Sequence, residues 1–326
     1  MGADMGAQAS NAGCGISVLL VNWNGCADLR MCLESLAAQT DRDFATIVVD
    51  NGSTDGSLAM LRTEFPHVQL LAAGQNLGFA EGCNRGLALC QTPWVFCLNN
   101  DTRLDSRAIA ALRQAAQAAP LRLGMLQARI VFLDRPHLTN STGVLVKRDG
   151  TFIDRDFAAP LRADDVQEPI FCASAGAALY RRRMLDELTL RSGTFDRSYF
   201  MYYEDVDLGW RGRLAGWEAA YVPAALVYHR FQASSRRQKR AFVASHAHPN
   251  KLRTLLKNAS LGYLGRVFPS LIWRDVLPLF RHRGAAALPD LGRALFDGLS
   301  QRRQVGRLAR TARKELEQSW LAPPDR

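Results

Sequence analysis

Three short clusters hold the residues with the most chemical capacity. Leu98-Asn99-Asn100-Asp101 closes an apolar run that starts at Trp94, and it presents two amides and a carboxylate. Asp101 is a hard oxygen ligand suited to a divalent cation, and Asn100 can hydrogen-bond a sugar or a phosphate. Asp50 heads Asp50-Asn51-Gly52-Ser53-Thr54-Asp55-Gly56, where it is suited to accept from a base N–H or a ribose hydroxyl. Glu204-Asp205-Val206-Asp207 brings three carboxylates into one helical turn, and one of them could take the proton from an attacking hydroxyl. Each cluster also has a plain structural account. Turns are built from Asn, Asp and Gly, and acidic residues favour the first turn of any helix.

These clusters sit at the ends of regular elements. Ile16–Val21 is a β-rich run ending at Asn22-Trp23-Asn24-Gly25, after which Leu29, Leu33 and Leu36 recur on one helical face. Ala45–Val49 ends at Asp50. Val68–Leu71 precedes Asn76-Leu77-Gly78-Phe79-Ala80-Glu81-Gly82-Cys83-Asn84-Arg85-Gly86, which should open a helix. Its glycines would let backbone approach a phosphate or a sugar, or would simply loosen the helix start. Strand–helix alternation of this kind predicts a parallel sheet with helices on both faces, its strand ends gathered along one edge. Ligands bind at that edge in open α/β sheets. No Gly-x-Gly-x-x-Gly follows the first strand and no Gly-Lys-Ser/Thr loop is present, so dinucleotide and P-loop chemistry lose their support.

Farther on, Leu123–Phe132 reads as a strand, and Gly143–Ile153 as strand-like with turns at 147–150. Ser174-Ala175-Gly176-Ala177-Ala178-Leu179-Tyr180 offers small residues that would let a sugar lie against backbone, or a strand pack closely under a helix. Val206, Trp210 and Leu214, at i, i+4 and i+8, predict a helix with a buried face from about 204 to 215. The apolar run Ala219–Val227 ends at Tyr228-His229-Arg230, where a histidine serves readily as a hydrogen-bonded structural group. Arg230, Arg236 and Arg237 could meet diphosphate charge or be solvated.

The chain has 326 residues, 48% of them hydrophobic, enough for one large domain or one domain with an appendage. Residues 1–15 lack periodicity and read as a disordered lead-in. No basic start precedes an apolar h-region and no run of 18 apolar residues occurs, so neither a secretory signal nor a spanning helix is expected. Seven cysteines are scattered from Cys14 to Cys172 without a Cys-x-x-Cys pair, which suggests reduced thiols in a cytoplasmic protein. The net charge is +10, but its placement says more: residues 230–326 hold 20 Lys/Arg against 6 Asp/Glu.

Val21-Asn22-Trp23-Asn24, Val48-Val49-Asp50-Asn51-Gly52-Ser53-Thr54-Asp55-Gly56-Ser57, Asn76-Leu77-Gly78-Phe79-Ala80 and Leu98-Asn99-Asn100-Asp101 occur in that order and at that spacing. Together they resemble the nucleotide-sugar half of family 2 inverting glycosyltransferases, in particular the rhamnosyltransferase-like branch. The resemblance covers residues 16 to about 260. It implies a GT-A-type fold, an α/β, Rossmann-like mixed sheet flanked by helices. It implies a donor site of Asn22, Asp50, Asn76, Gly78, Asn84, Asn100 and Asp101, with Asp50 on the base and ribose. Asp101 corresponds to the last position of the family's Asp-x-Asp metal motif. The first position is Asn99 here, and a neutral amide is a weaker ligand than a carboxylate.

His229 matches a family histidine that binds the divalent ion, so the resemblance implies Asp101 and His229 as ligands of Mg²⁺ or Mn²⁺. Asp205 matches the family's general base, with Glu204 as a less favoured substitute and Asp207 in support. Gly176 and Ala177 match the segment lining the donor-sugar and acceptor pocket, to which we assign Tyr202 and Trp210 as well.

In the C-terminal part, Leu252, Leu255, Leu256, Ala259, Tyr263, Leu264, Val267, Phe268, Leu271 and Ile272 recur at helical spacing. Lys251, Arg253, Lys257, Arg266 and Arg274 are interleaved, and Pro269 and Pro278 should mark breaks. Such amphipathic helices either cap the catalytic domain or lie on an anionic inner leaflet, and the two are compatible. Nucleic-acid binding has little support, since few aromatics stand among the basic residues.

The expected organisation is therefore the lead-in 1–15, a catalytic domain over 16–250, and a basic amphipathic helical extension over 251–326. The catalytic domain divides into a nucleotide-sugar half, 16–101, and an acceptor half, 102–250. The expected activity is metal-dependent, inverting transfer of a sugar, with rhamnose from dTDP-rhamnose the leading choice. The acceptor is a hydroxyl of a polysaccharide or lipid-linked glycan, at the cytoplasmic face of the membrane. Another sugar (galactofuranose, GlcNAc or glucose) and a catalytically inactive nucleotide-sugar-binding protein are the alternatives. A membrane-surface adaptor would lose function on deletion of 251–326 and keep it on Asp205→Asn, and a nucleotidyltransferase would need a phosphate-gripping loop that is not visible.

Overall fold

The computed structural model describes residues 15–162, 166–231 and 240–321. Of the expected lead-in only Gly15 falls inside those ranges, and the segment holding Arg236 and Arg237 lies outside them. Four strands, β1 (Ile16–Asn22), β2 (Phe44–Asp50), β3 (Gln69–Ala72) and β4 (Trp94–Asn99), run parallel in the order β3-β2-β1-β4. They are joined by α1 (Cys26–Ala37), α2 (Ser57–Glu64) and α3 (Gly78–Leu87).

Successive side chains of a strand point to opposite faces, and both faces are covered here. Val18 and Leu20 pack with Leu29, Leu33 and Leu36 of α1 on one side. Leu19, Ile47 and Val49 pack with Ala80, Cys83 and Leu87 of α3 on the other. That two-sided burial is why these strands read as unbroken apolar runs, each large aliphatic side chain contributing about 1.5–3 kcal/mol.

The rest of the sheet is mixed in direction. After β5 (Thr102–Leu104) and α4 (Ala108–Ala118) come β6 (Leu123–Phe132), β7 (Thr139–Ser141), β8 (Val144–Val146), β9 (Phe152–Asp154) and β10 (Glu168–Pro169). They are followed by β11 (Ala177–Arg181), α5 (Arg182–Glu187), α6 (Glu204–Leu214) and β12 (Glu218–His229). β11 lies antiparallel between β4 and β6, and β12 runs parallel to β6, giving the order β10-β12-β6-β11-β4-β1-β2-β3. β8 and β9 form a separate two-stranded ribbon.

Register brings the polar strand ends together. Asn22 is opposite Asp50, and Val21 is opposite Asn99, so β1, β2 and β4 end flush. From Asn99 the chain turns through Asn100 and Asp101 into β5, which pairs antiparallel with the end of β12 and sets Thr102 opposite His229. The Arg230 amide then donates to the Asp101 carbonyl at 2.9 Å. A tight turn thus places Asp101 beside a histidine from a distant part of the chain.

The C-terminal helices are α7 (Arg240–Asn258), α8 (Leu261–Leu271), α9 (Leu277–Arg283), α10 (Ala287–Leu308) and α11 (Arg313–Trp320). α7 runs unbroken through position 250, where the expected catalytic domain meets the extension. Pro269 lies inside α8 and Pro278 in the first turn of α9. The breaks expected at these prolines take the form of one π-helical turn, Ile272–Val276, between them. Leu255, Tyr263, Val267 and Leu271 join the same apolar cluster as α3 and α6, so the extension shares a core with the sheet domain. Leu261, Phe268, Trp273, Leu288, Phe296 and Leu299 remain exposed. Among the described residues no helix is long and apolar enough to cross a membrane, and all six cysteines are free.

Candidate active site

The strand ends open on a cavity of about 690 Å³. Trp23, Asn51, Asn76 and Gly78 line the side belonging to the parallel half. Asn100, Asp101 and His229 lie along its wall, and Ser174, Gly176, Tyr202 and Asp205 complete the other side.

The Asp101–His229 pair is poised for a cation. His229 Nε2 is 3.2 Å from Asp101 Oδ1, which is buried and has no hydrogen-bond partner. The other ring nitrogen, Nδ1, lies 2.8 Å from Asn140 Oδ1. An amide oxygen there engages the Nδ1 proton and leaves the Nε2 lone pair for a ligand. Two electron-rich atoms facing each other at that distance fit a divalent ion. Among the described residues no group of three or more His, Cys, Asp or Glu side chains could hold a metal. Asp101 and His229 could supply two ligands, with substrate phosphate and water completing the shell of a divalent ion.

Asp205 opens the first turn of α6. Its carboxylate accepts from the Ala175 amide at 3.0 Å and the Val206 amide at 2.7 Å. Burial pushes its pKa above the usual aspartate range, against those amides and the Ser174 hydroxyl. Glu204 is more deeply buried and its Oε2 has no partner. Burial, with the Asp205 charge added, drives Glu204 well above the glutamate range and favours its protonated form. A third carboxylate, Asp154 at the end of β9, lines the same cavity. Burial, reinforced by Asp205 and opposed by the Ser141 hydroxyl and His229, pushes its pKa up to about 6.

The turn leading into α6 is strained. Phe200, Tyr202 and Tyr203 have φ of 61°, 71° and 70°, in the left-handed region that costs a non-glycine residue about 1–3 kcal/mol. Three contacts hold it. The Ala80 amide donates to the Phe200 carbonyl at 3.2 Å. Asn250 Nδ2 of α7 sits 2.8 Å from the Tyr199 and Met201 carbonyls and 3.0 Å from that of Tyr202. Behind it, Lys257 Nζ meets Asp196 at 2.7 Å and Asp207 at 2.9 Å, while Arg211 and Asn258 also hold Asp207, all four of these ionic side chains fully buried.

Of the residues expected from sequence, Asn76, Gly78, Asn100, Asp101, Gly176, Tyr202, Glu204, Asp205 and His229 line the cavity. Asn22 and Asp50 do not; they lie behind it, fully buried. Asn22 Nδ2 donates to Asp50 at 3.0 Å, and Asn100 Nδ2 donates to Asn22 Oδ1 at 2.7 Å. Three others lie away from the cavity. Trp210 is 1% exposed and packs edge-on against Phe152 and Phe171, because the spacing that puts it with Val206 and Leu214 points it into the core. Ala177 is buried inside the sheet as the first residue of β11. Asn84 clamps the backbone of Phe195, donating to its carbonyl at 2.7 Å and accepting its amide at 3.0 Å.

Gly78, too, has a reason besides ligand approach: φ is +80°, and a Cβ would sit 2.5 Å from the Phe200 carbonyl oxygen. Arg230 pairs with Asp28, on the cavity wall, at 2.9 Å. Asn140, Asp154 and Asn250 were not anticipated. No periodic pattern surrounds the first two, and the third reads as one polar residue of an amphipathic helix.

A mixed sheet that presents its strand ends to one large cavity is the GT-A architecture of nucleotide-sugar glycosyltransferases. The chain belongs to glycosyl transferase family 2, whose profile matches residues 17–189. It is 31% identical over 253 residues to the N-acetylglucosaminyl-diphospho-decaprenol L-rhamnosyltransferase of Mycobacterium tuberculosis, covering 71% of this chain and 81% of that protein. In fold it is similar to the mannosyltransferase PcManGT from Pyrobaculum calidifontis in complex with GDP-Man and Mn²⁺ (TM-score 0.53, 16% identity, 88% of this chain and 75% of that chain). It is also similar to S. aureus TarS in complex with UDP-GlcNAc (TM-score 0.55, 14% identity, 90% and 83%).

Proposed function

We propose that the protein is a metal-dependent inverting glycosyltransferase that moves rhamnose from dTDP-rhamnose onto a hydroxyl of a lipid-linked glycan at the cytoplasmic face of a membrane. The observation that carries this reading is that Asp205, oriented by two amides, faces the same cavity as the Asp101–His229 pair. The donor's nucleoside lies along Trp23, Asn51 and Asn76. Asp50 acts on it through Asn22 and Asn100. Asp205 takes the proton from the acceptor hydroxyl as that oxygen attacks the anomeric carbon opposite the leaving diphosphate, so a single displacement inverts the centre. A divalent cation held by Asp101 and His229 would offset charge on the departing diphosphate. The choice of rhamnose and of a lipid-linked acceptor draws on the mycobacterial relative's name.

Membrane attachment is proposed through the extension. Exposed Leu261, Phe268 and Trp273 alternate with exposed Arg266 and Arg274, and Leu288, Phe296 and Leu299 with Arg293 and Arg303. Apolar side chains at acyl depth with Arg at the headgroups suit an anionic surface.

Thermal unfolding with a panel of nucleotide sugars, with and without Mn²⁺, tests the reading. Stabilisation by dTDP-rhamnose that depends on the ion is expected, followed by a product of inverted anomeric configuration. A ligand at a hundred times its Kd adds about 2.7 kcal/mol, which such a scan resolves. No shift with any nucleotide sugar would sink the proposal.

A further inference from the structure

Asp154 is the carboxylate in the cavity that the donor and base assignments leave unused. It ends β9, opposite Val144 on β8, and both residues line the cavity. The ribbon that carries it is firmly seated. Phe152 packs against Tyr203 and Trp210, with ring centroids 5.3 Å and 6.0 Å apart, so Asp154 is presented by a packed element. The adjacent cation is turned away from it. Arg155 donates to Thr142 Oγ1 at 2.8 Å and to Glu168 Oε1 at 2.8 Å. A carboxylate has about four acceptor positions, and the nearby Ser141 hydroxyl donates to the Gly143 carbonyl at 3.1 Å. Asp154 is half-buried and lines the same cavity as Asp205 and His229.

A sugar whose hydroxyl is held at Asp205 has its neighbouring groups inside the cavity that Asp154 also lines. We infer that Asp154 is an acceptor-recognition residue: its carboxylate accepts a hydrogen bond from a second donor group on the acceptor sugar, a neighbouring hydroxyl or an amide N–H. It thereby fixes which hydroxyl reaches Asp205. This inference rests on the transferase reading above and adds to it the determinant of acceptor choice. The chemistry asked of Asp154 is hydrogen bonding alone; it exchanges no proton in the transfer step.

The experiment uses the full chain, dTDP-rhamnose, and a synthetic short-chain N-acetylglucosaminyl diphospho-lipid. Analogues of that acceptor each lack one hydroxyl or the acetamido N–H. Asp154→Asn is expected to raise the acceptor KM about tenfold, the worth of a charge-assisted hydrogen bond reduced to a neutral one. The donor KM should stay at its wild-type value, and Asp154→Glu should recover part of the loss. The analogue lacking the contacted group should bind wild type as poorly as Asp154→Asn binds the parent, with no further loss when the two are combined. An acceptor KM unchanged by Asp154→Asn, or an equal penalty on every analogue, overturns the assignment while wild-type transfer still upholds the donor reading. Failure of the wild-type chain to transfer from any nucleotide sugar to any acceptor removes that reading, and this inference falls with it.

Discussion

Asp205 combines two amide donors with an environment that resists its ionisation. A base acts in its ionised form, so activity should fall as pH drops through a pKa above the usual aspartate range. The acidic limb of kcat/KM for the free enzyme reads that value. Asp205→Asn should cost about 10²–10⁴ in kcat with the thermal midpoint retained. Glu204 titrates with the opposite consequence for the fold. Its folded pKa is raised, so its contribution to stability is complete below the unfolded value and is lost as pH rises through the folded one. Glu204→Gln should therefore raise the thermal midpoint more at alkaline than at acidic pH, and a uniform effect would refute the assignment of a buried neutral acid.

Asn140→Ala removes the group that engages His229 Nδ1. It should weaken activation by Mn²⁺ about 10–100-fold, measured as the shift in the metal concentration for half-maximal activity. At this scale the motif residues were legible because strand-end chemistry is local: Asn100, Asp101 and Asp205 announce themselves beside an apolar run or a helix start. Asn140 and Asp154 do not, since strands of three residues carry too little periodicity to show which side chains face inward. Trp210 is the opposite case: its helical spacing with Val206 and Leu214 points to the core, and there it lies.

The parallel half of the sheet followed from its sequence because both faces are covered and each run ends in a turn. The antiparallel β11 did not, since direction depends on register with β4 and β6, not on composition. Nor did the partnership of α6 with α7. Lys257 reads as one more basic residue of a tail, yet it is fully buried between Asp196 and Asp207. Burial works against ionisation of Asp196, but the Lys257 ammonium and the Ser198 amide hold its carboxyl below the usual range. Its share of stability is present above the unfolded pKa and lost on acidification. Lys257→Met leaves the buried Asp196 without its cation, while Arg211 and Asn258 still hold Asp207, and should cost about 3–5 kcal/mol in denaturant unfolding. A loss under 1 kcal/mol would mean the pair is not buried as described.

For the molecule as a whole, the basic third and the exposed apolar side chains of the extension belong together. Sedimentation with vesicles should show binding to anionic but not to zwitterionic bilayers, weakening as salt is added. Trp273→Glu with Phe296→Glu should abolish it while transfer to a water-soluble acceptor continues. Binding that survives both substitutions would place the contact elsewhere.

The three left-handed residues before α6 would not persist as an isolated peptide; Asn250 from α7 is among the groups that keep them in place. Cutting the chain at position 250 for easier handling would sever α7 and discard Lys257, and the turn would be free to relax to ordinary backbone angles, carrying Asp205 with it. A shortened protein would then be inert even in detergent-free solution with a soluble acceptor. Inactivity on trimming is thus no measure of lipid dependence, and the full-length protein with point changes on its outer face is the form in which that dependence is to be judged.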